Sequence, residues 1–178
     1  VLAMQLASGV ALGGLGTYFV TVLAANFIQM LVVLPLLLLM RGINPLRVAK
    51  GMFPALTVAF FSKSSAGTLP VTMACAENNL GVHTSVSRFV LPICTTINMN
   101  GCAAFILITV VYLMQNAGAE VSYGMLAAWI VISTIAAVGN AGVPMGCFFL
   151  SASLLASMNV PILLMGVILP FYAVIDAI

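Results

Sequence analysis

Three stretches of polar and small residues interrupt an otherwise apolar chain, and each could bind a small solute or an ion. The first spans residues 62–70 and contains Lys63, Ser64 and Ser65. If a helix starts near Leu69, its N-terminus presents backbone N–H groups and a partial positive charge to the same point. Hydroxyl groups, N–H donors and an ammonium group together favour binding of a carboxylate. The alternative is a simple Ser/Gly turn within a loop.

The second stretch lies near the middle of the apolar residues 86–115, where Asn98, Met99 and Asn100 follow Thr96. Asn, Thr and Gly form helices poorly, so we expect an unwound turn with free carbonyl oxygens. These oxygens, the Asn98 amide and the Thr96 carbonyl are hard, neutral ligands suited to Na⁺. The alternative is that the Asn side chains only hydrogen-bond neighbouring helices, at about 0.6 kcal/mol each on average.

The third stretch, residues 139–146, combines glycines with Pro144 and has no ionisable side chain. It can offer carbonyl groups and mobility, which suits a lid over a binding site, although a tight turn between two antiparallel spans would have the same composition. Further along, Asp176 is the sole acid after Glu120. A carboxylate within a membrane is a functional candidate, for a solute ammonium or a coupling ion, unless the segment ends there and Asp176 lies among headgroups.

The composition identifies the class of protein. Of 178 residues, 63% are hydrophobic and 4% are charged, against roughly a quarter charged in soluble domains. Disordered proteins, coiled coils and nucleic-acid-binding surfaces are excluded, so we expect no nucleic-acid partner. A multi-pass membrane protein in contact with the lipid bilayer remains. The chain begins without Met and ends in an apolar run, which predicts an internal fragment of a longer protein.

The apolar runs predict the helices that carry these stretches. Residues 1–14 have the composition of the end of one span, and residues 17–40 predict a full transmembrane helix that a proline kinks. The basic residues within 41–50 predict that this loop is cytoplasmic. Asn44 and Pro45 predict a capped helix start there.

Two pairs of short apolar runs predict re-entrant helical hairpins rather than spans. The first hairpin occupies residues 44–78, because the apolar runs 51–62 and 69–76 are each too short to cross a bilayer. The second occupies residues 121–158, and residues 161–178 enter the membrane again. Paired Gly/Pro interruptions of this kind indicate an inverted-repeat transporter with its site at the midplane.

The four cysteines, Cys75, Cys94, Cys102 and Cys147, form no C-x-x-C pair and have no His at ligand spacing. Their spacing therefore indicates neither a metal site nor a redox motif. We expect all four to be small apolar packing residues.

The sequence resembles the dicarboxylate/amino acid:cation symporter family, which comprises the prokaryotic relatives of glutamate transporters. The resemblance covers most of the chain from about residue 15 onward and agrees in order and spacing. The segments that carry it read SKSSAGTLPVT at 62–72, LP at 91–92, TINMNG at 96–101 and GNAGVP at 139–144. The combination of a Ser-rich tip with an N-M-x-G break is specific to that family.

The resemblance implies an all-α membrane protein, a fragment of an inverted-repeat transporter core with two re-entrant helical hairpins and a broken transmembrane helix. Family members are homotrimers in the cell's inner (plasma) membrane, and their transport domain moves like an elevator. By this likeness, residues 1–43 hold the end of one span and one full helix, and residues 44–178 form a partial transport domain. That domain comprises hairpin 44–78, broken span 86–115, hairpin 121–158 and the start of the last span, 161–178.

The resemblance also implies which residues form the site. Solute contacts are expected from Ser64, Ser65, Cys102, Val143, Gly146 and Asp176. Cation contacts are expected from Cys94, Thr96, Asn98, Asn100, Ala137, Val138 and Asn140, with Thr96 contributing its backbone. The family usually has Asp where this sequence has Asn100, so one negative charge is missing from the expected cation site.

These expectations favour a secondary active transporter that performs cation-coupled symport of an acidic or small neutral amino acid or a dicarboxylate. We expect no enzyme activity and no cofactor beyond the coupling ion, which is Na⁺ or alternatively H⁺. A channel-like protein and a transport-inactive protein of the same fold are the alternatives. An intramembrane Ser hydrolase is disfavoured, because the sole histidine, His83, lies in a loop and no G-x-S-x-G motif is present.

Overall fold

The computed structural model describes residues 14–118, 120–140, 142, 144–158 and 165–177. These residues form helices and no strand, which confirms the all-α prediction. The predicted end of a span at residues 1–14 lies outside the described residues, apart from Gly14. The helices are α1 (Leu15–Ile28), a π-helical turn (Gln29–Val33), α2 (Leu34–Met40), α3 (Pro45–Ser62), α4 (Ser65–Leu80), α5 (Thr84–Ile97), α6 (Asn100–Asn116), α7 (Tyr123–Val138), α8 (Gly146–Ser157) and α9 (Met165–Ile175).

The first helical stretch, Leu15–Met40, is 26 residues long and apolar enough to cross a membrane. The predicted proline kink takes the form of the π turn, in which the Leu34 N–H bonds the Gln29 carbonyl five residues earlier. A wider turn suits this position because the Pro35 ring would clash with the carbonyl of Leu31 in a regular helix. Only 6% of the most apolar part of this stretch is buried, so lipid or further protein must cover it.

Helices α3 and α4 pack side by side and are joined by a turn at Lys63 and Ser64. As predicted, Asn44 caps α3, since its side chain accepts bonds from the N–H groups of Leu46 at 3.0 Å and Arg47 at 3.4 Å. The capped first turns extend α3 to 18 residues, more than the apolar run alone predicted.

The expectation that α4 starts near Leu69 is wrong by about one turn. The helix begins at Ser65, because Ser64 has an extended backbone and acts as its N-cap. The Ser64 hydroxyl accepts a bond from the Gly67 N–H at 3.0 Å. Serine is among the best residues at this position, since its oxygen satisfies an N–H group that lacks a helical partner.

The helical stretch Thr84–Asn116 is 33 residues long and apolar enough to cross a membrane, but two residues interrupt it. Asn98 has φ −93° and ψ 61°, and Met99 has φ −103° and ψ 57°. Both conformations lie near the inverse γ-turn rather than the helix. The helix therefore ends at Ile97 and restarts at Asn100, at the place where the sequence predicts unwinding.

Helix α6 is the centre of the core and packs against α1, α7 and α8. Its buried residues recur three and four apart, which places them on one face of the helix. These residues are Cys102, Phe105, Ile106, Thr109, Val110, Leu113 and Met114. Helix α9 adds Met165, Ile168, Tyr172 and Ile175 to the same cluster. Because this packing fixes the start of α6, it also fixes the interruption just before it.

One buried polar pair links α1 to α6. The Tyr18 hydroxyl lies 2.9 Å from Thr109 Oγ1, and both residues are buried. Tyr18→Phe should lower the free energy of unfolding by about 1 kcal/mol, because Thr109 loses a buried partner. Thermal unfolding of the purified protein in detergent measures this loss.

Tyr123→Phe is the matched control, since Tyr123 is 92% exposed. A double-mutant cycle with Thr109→Val separates the pair from effects at either site alone. Equal melting temperatures for Tyr18→Phe and Tyr123→Phe would show that the Tyr18–Thr109 hydrogen bond does not stabilise the protein.

Candidate functional site

The three interruptions meet around one cavity of about 660 Å³. Four of the predicted solute residues line it, namely Ser64, Ser65, Cys102 and Asp176. Three of the predicted cation residues also line it, namely Asn98, Asn100 and Asn140. These residues come from α4, α6, the segment after α7 and the end of α9, so only the tertiary fold brings them together.

Gly142 is the point at which all three interruptions touch. Its carbonyl accepts bonds from the Ser64 hydroxyl at 3.1 Å and from the Ala66 N–H at 3.4 Å. Its φ is +64°, and a Cβ at this position would lie 2.9 Å from the Thr95 carbonyl oxygen and 3.2 Å from Met99 Cε. Glycine is required here both for the left-handed backbone and for the close approach.

The two serines of the first tip have different surroundings. Ser64 uses its hydroxyl within the protein, as cap for α4 and as donor to Gly142. Ser65 is exposed, and its side chain lies at the cavity beside the N-terminus of α4. Of the two hydroxyls, that of Ser65 is therefore the one available to a ligand in this conformation.

Lys63 and Asp176 are the charged residues among those that line the cavity in the described part of the chain. Lys63 ends α3 with φ 52°, a left-handed conformation at the tip. Asp176 accepts bonds from the Tyr172 hydroxyl at 2.9 Å and from the Met145 N–H at 3.3 Å. Met145 is the N-cap of α8, so the Asp176 carboxylate lies where the helix dipole favours an anion.

The Asn residues of the predicted cation set differ in exposure. Asn98 and Asn100 are exposed to the cavity, whereas Asn140 is 6% exposed. The Asn140 Nδ2 donates to Cys147 Sγ at 3.3 Å and to Cys102 Sγ at 3.5 Å. Asn140 thus binds sulfur through its amide nitrogen and has only its oxygen left as an acceptor.

The remaining predicted residues do not line this cavity within the described ranges. Cys94 is half-buried, Ala137 is buried and Val138 is exposed. The Thr96 hydroxyl donates to the Ile93 carbonyl at 3.0 Å, within its own helix. Gly146 lies against Asn140, whose Cγ would be 2.8 Å from an added Cβ. Val143 is outside the described residues.

Two further polar residues lie close to the site and were not predicted from the sequence. Tyr172 holds Asp176 from one turn earlier in the chain, a spacing that places both on one helix face. Asn26 lies opposite the interruption, because a Cβ on Gly101 would be 3.5 Å from its Oδ1. A polar residue inside an apolar span is the signal that could have identified Asn26.

The expectation that all four cysteines are apolar packing residues is wrong for two of them. Cys102 and Cys147 form a disulfide, with their Cα atoms 5.5 Å apart. They are 45 residues apart in sequence, so their spacing could not reveal the pair. Cys75 and Cys94 are free thiols, the first buried and the second half-buried.

Comparison with known proteins identifies the family of the chain. The profile of the Sodium:dicarboxylate symporter family matches residues 2–178, and the chain therefore belongs to that family. This confirms the resemblance found in the sequence, and the family, by its description, comprises symporters rather than enzymes.

Several named relatives are transporters of amino acids. Excitatory amino acid transporter 3 of Mus musculus is 44% identical over 114 residues, which cover 63% of this chain and 22% of that protein. Neutral amino acid transporter B(0) of Rattus norvegicus is 36% identical over 150 residues, which cover 84% of this chain and 27% of that protein. The chain therefore spans about a quarter of the length of these relatives.

The contact at Gly142 predicts a large effect of a single methyl group. Gly142→Ala should destabilise the protein by about 1 kcal/mol more than backbone strain alone, because the Cβ meets the Thr95 carbonyl. Gly42→Ala supplies the strain-only reference, since Gly42 has φ +70° and nothing within 4 Å of an added Cβ. Thermal unfolding of both variants in detergent gives the difference.

Amide exchange provides a local readout of the same change. The Ala66 and Gly67 N–H groups should exchange faster in Gly142→Ala, because the two tips separate. They should be unchanged in Gly42→Ala. If both variants melt and exchange alike, the tips do not meet at Gly142.

Proposed function

We propose that this chain is part of a secondary active transporter that couples movement of a small solute to a cation, most simply Na⁺. The solute is an acidic or small neutral amino acid or a dicarboxylate. The observation that carries this proposal is the meeting of the three interruptions at Gly142, around a cavity that contains charged, hydroxyl and amide groups. The family description and the names of the relatives support it.

The solute site uses residues from two parts of the cavity lining. The Lys63 ammonium, the Ser65 hydroxyl and the N-terminus of α4 bind a carboxylate, because all three present positive charge or donors. Asp176 lines the same cavity and can accept from a solute ammonium, since a carboxylate offers about four acceptor positions and two are used. A volume of about 660 Å³ is within the usual range for small-molecule sites.

The cation site lies at the interruption between α5 and α6. Asn98 and Asn100 contribute amide oxygens, and the unwound backbone contributes carbonyl oxygens, including that of Thr96. Cys94, Ala137, Val138 and the Asn140 oxygen belong to the outer part of the same region. These neutral oxygen donors suit Na⁺, whereas H⁺ coupling would have to use Asp176, the carboxylate among the described residues that line the cavity.

In the membrane, α3–α4 and α7–α8 form the two re-entrant hairpins, and α5–α6 form one broken span. Residues 1–43 then support a transport domain that begins at residue 44. This arrangement satisfies the rule that unwound backbone at membrane depth must be buried in protein or line a cavity. The second tip, with Val143 and Gly146, forms the outer gate. The assembled protein is a homotrimer in the plasma membrane, with an elevator-type transport domain.

Coupling follows from which state each ligand favours. The bonds from Ser64 and Ala66 to Gly142 form only when the second tip lies on the first. Solute and cation that bind preferentially to this closed arrangement shift the population toward it, and each raises the affinity for the other. An open second tip exposes the cavity and releases both.

Ser65→Ala tests the solute site. In proteoliposomes with an inward Na⁺ gradient, this variant should raise the KM for labelled aspartate, alanine or succinate about tenfold, because a hydrogen bond to a charged group is lost. Ser153→Ala is the matched control, since Ser153 is an exposed serine of α8 outside the cavity. Equal KM values for the two variants would remove Ser65 from the site.

Asn100→Asp tests the cation site. The added carboxylate should increase the apparent affinity for Na⁺ by about tenfold, because it adds a charged hard oxygen beside the neutral ones. The measurement is uptake against Na⁺ concentration at a fixed solute concentration, with Asn116→Asp as the control at the far end of α6. An unchanged Na⁺ dependence would place Asn100 away from the ion.

The same vesicles separate the transporter from its alternatives. A symporter accumulates solute above the external concentration only while the cation gradient lasts. A channel-like protein equilibrates the solute without accumulation, and a transport-inactive protein shows neither. Either of the last two results would overturn the proposed function.

A further inference from the structure

The disulfide between Cys102 and Cys147 joins two parts of the site that the proposed gate must separate. Cys102 lies in the first turn of α6, directly after the interruption, and is 6% exposed. Cys147 is the second residue of α8, directly after the second tip, and is half-buried. Both line the cavity, so a small reagent that enters the cavity can reach the bond.

Among the described residues of the second tip, hydrogen bonds and this covalent bond make the attachments to the rest of the site. Gly142 accepts from Ser64 and Ala66, and Met145 donates to Asp176. Hydrogen bonds of this kind contribute roughly 1 kcal/mol each and break readily. A disulfide keeps two Cα atoms within about 7 Å of each other. While the bond is intact, the start of α8 cannot leave α6.

The backbone next to the bond has the features of a hinge. Gly142 at φ +64° and Met145 at φ +63° both have left-handed conformations, and they lie five and two residues before Cys147. A rotation at these positions moves the tip, and the covalent bond fixes the segment just beyond them. The disulfide therefore acts at the place where restraint of the tip is most effective.

We propose that Cys102 and Cys147 form a thiol–disulfide switch that holds the second tip closed, so that transport runs in the dithiol form and stops in the disulfide form. Oxidation by a peroxide removes two electrons and two protons from the thiols, forms the S–S bond and yields two water molecules. A thiolate of a small dithiol reverses this by attacking Sγ of Cys147, the more exposed residue, which forms a mixed disulfide and releases the Cys102 thiolate. A second thiolate of the reductant then closes its own disulfide and releases the Cys147 thiol.

Asn140 supports both states of the switch. Its Nδ2 lies within 3.5 Å of both sulfur atoms, so it can donate to a leaving thiolate as the bond opens. Asn140 is buried next to the bond, so this donor is already beside the sulfur atoms when the bond begins to open.

The first experiment tests the chemistry and does not depend on the proposed function. The purified protein is treated with hydrogen peroxide or dithiothreitol, alkylated under denaturing conditions, digested and analysed by mass spectrometry. Peroxide should give a peptide that links Cys102 to Cys147, and dithiothreitol should give both as alkylated thiols. Cys75 and Cys94 should be alkylated in each sample. Absence of the linked peptide after peroxide would overturn the switch.

The second experiment tests the restraint on the tip. Backbone amides of residues 139–149 should exchange with deuterium about tenfold more slowly in the oxidised protein than in the reduced protein. Cys147→Ser and Cys147→Ala should show no such difference, whereas Cys75→Ala should behave like the unaltered protein. Equal exchange in the oxidised and reduced protein would overturn the proposed restraint.

The third experiment tests the consequence for transport, and this readout rests on the proposed function. Na⁺-driven uptake of labelled aspartate, alanine or succinate should fall about tenfold after peroxide and return after dithiothreitol. Cys147→Ser should be insensitive to both reagents. Equal uptake in the linked and reduced protein would overturn the switch. If neither form transports any of the three probes, the proposed function fails, and amide exchange still decides the switch.

Discussion

The fold depends on one constraint, which is that backbone groups released from a helix within an apolar chain must find partners in the protein. Residues around Asn98 and Gly142 leave the helical hydrogen-bond pattern beside the cavity. The Gly142 carbonyl is satisfied by Ser64 and Ala66, and the start of α8 is satisfied by Asp176. The first and third interruptions therefore satisfy each other, and Met99 of the second lies beside Gly142. A change at Ser64 or Gly142 leaves a polar group of the other tip without its partner.

The core around α6 provides the rigidity that this convergence requires. Its buried face contacts α1, α7 and α8 and is continued by residues of α9. The same helix begins immediately after the unwound residues, so well-packed apolar side chains determine where Asn98 and Asn100 lie. The packing of the buried face of α6, one turn beyond the unwound residues, thus positions the polar site together with the contacts within the site.

Much of this arrangement could be predicted from local sequence, and the rest depends on tertiary contacts. The Asn44 cap, the interruption at Asn98 and the turn after α7 follow from residue types that break or start helices. The start of α4 was misplaced because Ser64 competes with Gly67 and Pro70 as a start signal, and local sequence did not rank them. The disulfide was missed because Cys102 and Cys147 are far apart in the chain.

The π turn at Gln29–Val33 determines which side chains before and after it line the cavity. Each residue of a helix is rotated by about 100° about the helix axis from the one before. One extra residue in a turn therefore changes the direction of all the side chains that follow it. Phe27 lies before the π turn, Met30 lies within it, and both line the cavity. The exposed side chains of α2 do not line the cavity. Deletion of a single residue between positions 29 and 33 would turn α2 relative to α1, because packing against α6 holds α1 in place. The wide turn thus determines the rotation of α2 about the helix axis relative to α1, whose end lines the cavity.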